Sequence, residues 1–459
     1  MIWSAGILFL LTISVSALHA SPAGTERWYF THFTADDGLA FNSVTAIAQD
    51  SNGFIWFATE DGLSRYDGRS FKNFSKEDLG LETDFVTKLC ADGSGNMWIG
   101  TDNGAGRYDF VSDSFIPLDN LSDIRTSVRG KVTHICIDDG GKVWMSVNGL
   151  GLFSYDPETD ELKNFFCADG RTTLPFNIRT FTIDGNGDFW FSLYFSDIWH
   201  SDSSLKEMSR VEIGGWQEND DVVAMERTAP GRILLSSWKN GMCELDCRKR
   251  TFRRFVGNFP GRRPKNMYYD RSGRRVWIAT TGGLSMYDFN TGKADVLTSD
   301  VRDRFSLAGN NVTAVFVDAS GGLWASTLSS GLNYAGGYHR NFRKYYMADG
   351  QNLSGSFIMD IAEDSNGRIW AASENCGLLY FDPADDALHI YRSGLPSNIR
   401  SLCCDGDTMW IGAWGGALAY GHEDRQGGAP QQAARQRPQA LPHLFRRHPS
   451  RLHAGAHEV

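Results

Sequence analysis

Positive charge is not in excess: 45 Lys and Arg stand against 55 Asp and Glu, a formal net charge of −10. That balance excludes the global basic field of a nucleic-acid binder. Histidine is scarce as well. Outside the first twenty residues and the C-terminal stretch only His32, His134, His200, His339 and His389 occur, and they scatter. No acid–base pair and no ligand set with metal spacing can be named from them, so no catalytic residue, metal or cofactor is expected. Beyond the N-terminus no run approaches the roughly 18–20 apolar residues of a spanning helix. The eight cysteines do not read as a disulfide framework. Cys90, Cys136 and Cys403 recur at one position of three repeats, which marks a packing slot for a small buried hydrophobe. Cys243 and Cys247 are close enough to pair or share a metal, but no His or acidic cluster accompanies them.

What is present is aromatic and turn-rich. Aromatics at 13%, 49 Gly and 14 Trp suit many tight turns between aromatic strands and exclude a disordered chain. The opening MIWSAGILFLLTISVSALHA reads as a secretory signal, residues 1–20, with an apolar core from Ile7 to Leu18 and Ala17 or Ala20 before the cleavage point. Its uncharged start leaves an N-terminal membrane anchor as the alternative. The rest of the chain is expected to be exported to the periplasm.

From Asn42 to Phe74 four strand-length apolar runs are separated by turns that place Gly beside Asp or Asn. The unit then repeats. Its second strand is anchored at Trp56, Trp98, Trp144, Trp190, Leu234, Trp277, Trp324, Trp370 and Trp410, with spacings of 42, 46, 46, 44, 43, 47, 46 and 40. Leu234 rather than Trp238 is the fifth anchor, because Trp238 falls four residues late, in a loop. A period in the forties with four strands per unit is the signature of a β-propeller blade. The Asp that ends the first strand in eight of the nine repeats (Asp50, Asp92, Asp138, Asp184, Asp270, Asp318, Asp364, Asp405) is read as a turn acceptor rather than a catalytic ring. The Tyr-Asp pairs 66–67, 108–109, 155–156 and 287–288 are read the same way.

The fold class that follows is all-β: one complete seven-bladed propeller over 26–340 and about two blades of a second over 341–420. Trp28–Phe33 is expected to supply the outer strand of the seventh blade and so remove the exposed edges. Residues 421–459, rich in Arg, His, Pro, Gln and Ala, read as a disordered or aberrant tail, the pattern of a truncated or frameshifted end.

The pattern N-x-V-x-x-I-x-x-D-x-x-G-x-I-W-x-x-T-x-x-G-L-x-x-Y-D from Asn42 to Asp67 resembles the two-component regulator propeller repeat. With the preceding Phe33-Thr34-Ala35-Asp36-Asp37-Gly38-Leu39, the region 26–420 is similar to the sensor part of hybrid two-component systems of Bacteroidetes-type bacteria. The resemblance implies a periplasmic sensor for glycan-derived oligosaccharides, followed in the family by an Ig-like domain, a membrane helix, and kinase, receiver and DNA-binding regions. This sequence contains no kinase His box or nucleotide-binding Gly loop, so membrane attachment and signalling would come through other regions.

Alternation of strand direction places the second-to-third and fourth-to-first loops on one face, and these vary from blade to blade. Blade 4 carries Tyr194-Phe195 there, blade 5 Trp238 and blade 9 Trp414. Trp216 lies in the loop between blades 4 and 5. Flat aromatics on a rigid face suit sugar rings, and they equally serve to cover core. The segment 248–275 holds eleven Lys or Arg against Asp270, and places Arg262, Arg263 and Lys265 on the variable face. Those three suit an anionic glycan, or merely a solvated surface. Tyr194, Phe195, Trp216, Trp238, Arg262, Arg263 and Lys265 are thus the expected ligand residues. The competing functions are a propeller-fold glycan lyase or hydrolase, and a protein-interaction scaffold whose aromatics meet a partner protein or a second copy in a homodimer.

Overall fold

A computed structural model describes residues 28–112, 114–118, 128–165, 177–256, 262–301, 303–337, 357–365, 367–382, 387–391, 395–405, 408–413 and 416–421. The expected secretory signal, the expected start of a second propeller at 341–346, Trp414 and the expected tail from 422 lie outside them. Two compact units are distinguished, one within 25–343 and one within 344–459.

Among the described residues the first unit is seven four-stranded antiparallel sheets. Blade 1 runs Val44–Gln49, Ile55–Thr59, Leu63–Tyr66, Phe71–Phe74, and each later blade repeats that meander. The innermost strands of blades 2 to 7 are Val86–Ala91, Val132–Ile137, Ile178–Ile183, Val222–Ala229, Pro264–Asp270 and Val312–Val317. Blade 7 takes its outer strand from the other end of the chain: Thr31–Phe33 pairs antiparallel with Leu332–Ala335. Val44 O of blade 1 accepts from Thr313 Oγ1 at 2.7 Å and Ser326 Oγ at 3.1 Å, which closes the ring between blades 7 and 1.

The turns behave as the Asp-Gly spacing predicts. Asp50 Oδ1 accepts from the backbone N–H of Asn52 at 2.9 Å and Phe54 at 3.0 Å, and Asp67 does the same for Arg69 and Ser70. The second oxygen of the strand-end Asp has a further task. Asp50 Oδ2 accepts from Trp56 Nε1 at 2.6 Å, and the pair recurs as Asp92–Trp98, Asp138–Trp144, Asp318–Trp324 and Asp364–Trp370. In these five blades the Trp is thereby tied to its own turn, whereas Nε1 of Trp190 and of Trp277 has no partner among the described residues; the rings fill the gap to the next blade, where Trp56 meets Tyr108 and Trp98 meets Tyr155. The core is a series of such inter-blade layers, for example Trp56, Leu63 and Phe74 against Val86, Met97 and Ile99. Leu234 occupies the Trp slot of blade 5, fully buried opposite Glu226 and Glu244.

One irregularity repeats in every innermost strand. The register slips between its first and third residues, at Val44/Ala46, Val86/Lys88, Val132/His134, Ile178/Thr180, Val222/Ala224, Pro264/Asn266 and Val312/Ala314. A bulge here adds an unpaired residue and re-aims side chains. In blades 1, 2, 3 and 7 that residue is Thr45, Thr87, Thr133 or Thr313. Its hydroxyl donates to the first carbonyl of the next innermost strand, at 2.7–2.8 Å. A belt of threonine hydroxyls thus stitches those blades together.

In the second unit, Ile358–Glu363, Ile369–Ser373, Gly377–Asp382 and Ala387–Tyr391 form a four-stranded sheet, and Ile399–Asp405, Thr408–Ala413 and Gly416–Gly421 a three-stranded one. Trp370 is buried between them, whereas Trp410, at the outer face, is 46% exposed. The cysteine slot differs for the same reason. Cys90 and Cys136 are half-buried against the next blade's core, but Cys403, opposite Trp410, is exposed because no described sheet follows. The expectation that all three are buried is corrected on that ground. Cys243 and Cys247 are both buried free thiols, and burial pushes each up to about 12.

Candidate ligand site on the variable face

The second-to-third loop of blade 4 breaks the repeat in its backbone as well as its side chains. Where most blades turn on a glycine, Phe195 sits in the left-handed region with φ 54°. That conformation costs a bulky residue on the order of 1 kcal/mol. The strained Phe195 is 64% exposed and Tyr194 38%. The ring edge of Phe195 meets Trp238 of blade 5 at 5.8 Å between centroids. Over Trp238 lies the guanidinium of Arg263 from blade 6, 4.6 Å from the ring centre. Three consecutive blades therefore contribute one continuous rim of Phe195, Trp238 and Arg263.

A buried network holds that rim in place. Asp220 accepts from the backbone N–H groups of Asp221, Lys239 and Asn240 at 2.7–3.0 Å and from Asn240 Nδ2 at 2.8 Å. Trp238 N donates to Asp221 O at 3.2 Å, so the indole sits on a loop pinned on both sides. Its own Nε1–H is buried and has no acceptor among the described residues. The Asp221 carboxylate pairs with Arg179 at 3.0 Å, and Arg179 lies over the Tyr194 ring at 5.0 Å. Arg262 packs across Gly282, where a Cβ would come within 2.3 Å of Arg262 Cγ.

The expected residues do not all converge. Trp216 packs edge-on to Phe252 and lines a separate hollow with Asp197, Arg210 and Glu218, where Arg210 is already paired with both acids. The basic segment 248–275 does not form one patch either. Arg254 is bound to Asn240, Arg271 to Glu226 and Arg275 to Asp288, while Arg262, Arg263 and Lys265 are the members that fall at the variable face. Lys265 points away from the rim into a cavity of about 240 Å³ at the mouth of the central channel, shared with Tyr194, Arg179, Lys88 and His134. Sequence alternation missed that cavity, because only the bulge brings both Thr87 and Lys88, or both Thr133 and His134, onto one wall. A larger cavity of about 520 Å³ near the opposite turns is lined by Asp139, Glu226, Arg227 and Arg271. Its charges are mutually satisfied, with Arg227 on Asp139 at 2.8 Å and Arg271 on Glu226 at 3.5 Å.

Titration separates the groups. Burial, then Lys88, pushes the His134 imidazole down to about 3, so it is neutral and cannot serve as an acid near pH 7. Burial lowers Lys265. One acid–base pair not foreseen in the sequence exists, His200 Nε2 with Asp188 Oδ2 at 3.1 Å, but it lines none of these three hollows. Among the described residues no cluster of His, Cys, Asp or Glu suits a metal ion. No described helix is long and apolar enough to cross a membrane.

The family profile of the two-component regulator propeller matches residues 38–61, 80–103 and 352–375. These segments are similar to two-component regulator propeller repeats. Each overlaps a blade's first two strands, the part that carries the strand-end Asp and its Trp. A histidine kinase P4 of Formosa agariphila is 37% identical over 67 residues, 15% of this chain and 5% of that protein. Among solved structures, the extracellular domain of a B. thetaiotaomicron protein assigned to the hybrid two-component systems has a TM-score of 0.63 at 21% identity, covering 86% of this chain and 53% of that one. A second B. thetaiotaomicron extracellular domain, assigned to a one-component system, has a TM-score of 0.56 at 19% identity over 85% of this chain and 52% of that one. Streptogramin B lyase shares the fold at 12% identity and a TM-score of 0.52, over 67% of this chain and 97% of that one. The chain thus spans about half the length of the solved extracellular domains and a twentieth of the kinase.

Proposed function

We propose that the 25–343 unit is the extracytoplasmic ligand-sensing propeller of a hybrid two-component regulator, and that its variable face receives a glycan-derived oligosaccharide. The observation that carries this reading is the rim Phe195–Trp238–Arg263, flat side chains from three blades in mutual contact on a rigid frame. Sugar C–H faces stack on such surfaces. The propeller repeats and the extracellular placement of the similar solved domains support sensing and export. A glycan panel followed by calorimetry tests the reading. Trp238→Ala weakens the best oligosaccharide ~10–100-fold, the worth of one stacked aromatic, and no product forms. Binding that survives Trp238→Ala unchanged refutes the assignment of the rim.

The second reading is a propeller-fold lyase or hydrolase, favoured by the His200–Asp188 pair and by the shared fold of streptogramin B lyase. Turnover of a glycan that is lost in His200→Gln would establish it.

A further inference from the structure

The threonine belt fails on one side of the channel. At the bulge position blades 4, 5 and 6 carry Arg179, Val223 and Lys265 in place of threonine. Blade 4 keeps its stitch by another route, Ser192 Oγ donating to Val222 O at 2.9 Å, which releases Arg179 from that duty. Next to the bulge, at the third position, blade 2 carries Lys88. Lys131 adds a fourth cation at the entrance, 5.6 Å from the centre of the Phe85 ring. The cavity these residues wall contains Lys88, Lys131, Arg179 and Lys265 and no carboxylate. Outside its lining, Asp221 pairs with Arg179 at 3.0 Å. Among the described residues Lys88, Lys131 and Lys265 have no ion-pair partner. Lys88 is half-buried, and its ammonium is pulled down to about 8 by burial, then by Arg179 and Lys131. Three unpaired lysines beside one paired arginine, in a concave and partly desolvated site, stabilise an anion more than they stabilise the empty protein.

We propose that this channel mouth is the seat of an oxyanion, the carboxylate of a uronic acid or the sulfate ester of a sulfated sugar, with Lys88, Lys131, Arg179 and Lys265 as its ligands. The inference deepens the sensing reading: the rim would hold the sugar face and the channel mouth its charge. Tyr194 borders the cavity on the same loop as Phe195, so one ligand can reach both.

Calorimetry on the whole chain at fixed ionic strength, with sodium glucuronate, glucose 6-sulfate and glucose as probes, tests the seat. At least one of the two anions binds ≥10-fold more tightly than glucose, and whichever wins identifies the source of the oxyanion. Lys88→Met abolishes that advantage, whereas Lys88→Arg retains it. Lys88→Met also raises the thermal midpoint of the ligand-free protein, because it removes an unpaired charge, a result that a purely structural lysine would not give. Equal binding of glucose and both anions, no binding of either anion, or an advantage untouched by Lys88→Met overturns the proposal. Neutral oligosaccharides that bind while both anions fail leave sensing intact and remove only the seat. Anions that bind while no oligosaccharide does leave the seat and remove the glycan reading.

Discussion

The strand-end Asp of blades 1 and 4 makes a matched pair for measuring what the Asp–Trp tie contributes. Asp50 Oδ1 accepts from the N–H groups two and four residues on, at 2.9 and 3.0 Å, and Asp184 Oδ1 does the same at 2.7 and 3.1 Å. Both carboxylates are buried. They differ in the indole: Trp56 Nε1 donates to Asp50 at 2.6 Å, whereas Trp190 Nε1 has no partner among the described residues. Replacing either Asp by Ala removes the turn bonds, at a cost of ~2 kcal/mol in each case. Only Asp50→Ala also strands a buried indole N–H and removes a charge-assisted bond, a further ~2 kcal/mol. Urea unfolding followed by far-UV circular dichroism should therefore place the Asp50→Ala midpoint well below that of Asp184→Ala at similar slope. Asp50→Asn keeps an acceptor oxygen and recovers part of the difference. Losses for the two alanine variants that agree within ~0.5 kcal/mol would refute the view that the tie, rather than the turn alone, secures the blade.

Phe195→Gly relieves the left-handed backbone strain and is expected to raise stability by ~0.5–1 kcal/mol while weakening oligosaccharide binding, read by thermal melts and calorimetry on the same sample. His134 is neutral in the fold down to about pH 3 and takes up a proton near pH 6.5 when unfolded. Its contribution is thus complete above pH 6.5 and is lost as pH falls from 6.5 toward 3, with a slope approaching ~1.4 kcal/mol per pH unit that His134→Gln removes. Thr87→Val deletes the hydroxyl that reaches Val132 O at 2.8 Å and should cost ~1 kcal/mol, whereas Val223→Thr, at a position without that bond, should cost nothing comparable. Arg262→Ala with Arg263→Ala leaves the fold intact and reduces affinity for an anionic glycan more than for a neutral one; equal losses would mean that Arg263 acts only as a lid on Trp238.

The repeat was legible without coordinates because blade formation depends on local patterns. Alternating apolar runs, Asp-Gly turns and a Trp every forty-odd residues set the strands, and Leu234 could be told from Trp238 by counting from Gly231. The pairing of Phe195 with Trp238 was also within reach, since both are exceptions in equivalent loops of neighbouring blades. The Asp–Trp tie was only half visible: the Asp was read correctly as a turn acceptor, but its second oxygen finds its donor across the hairpin. Tertiary structure alone decided the rest. Trp216 lies in another hollow, and the basic run divides between partners and faces, because adjacent residues of a hairpin point to opposite sides of a blade. The channel mouth was hidden for a sharper reason. Simple alternation turns only one of two neighbouring residues inward, and the bulge in each innermost strand turns both, bringing together cations from blades 2, 3, 4 and 6 that are far apart in the chain.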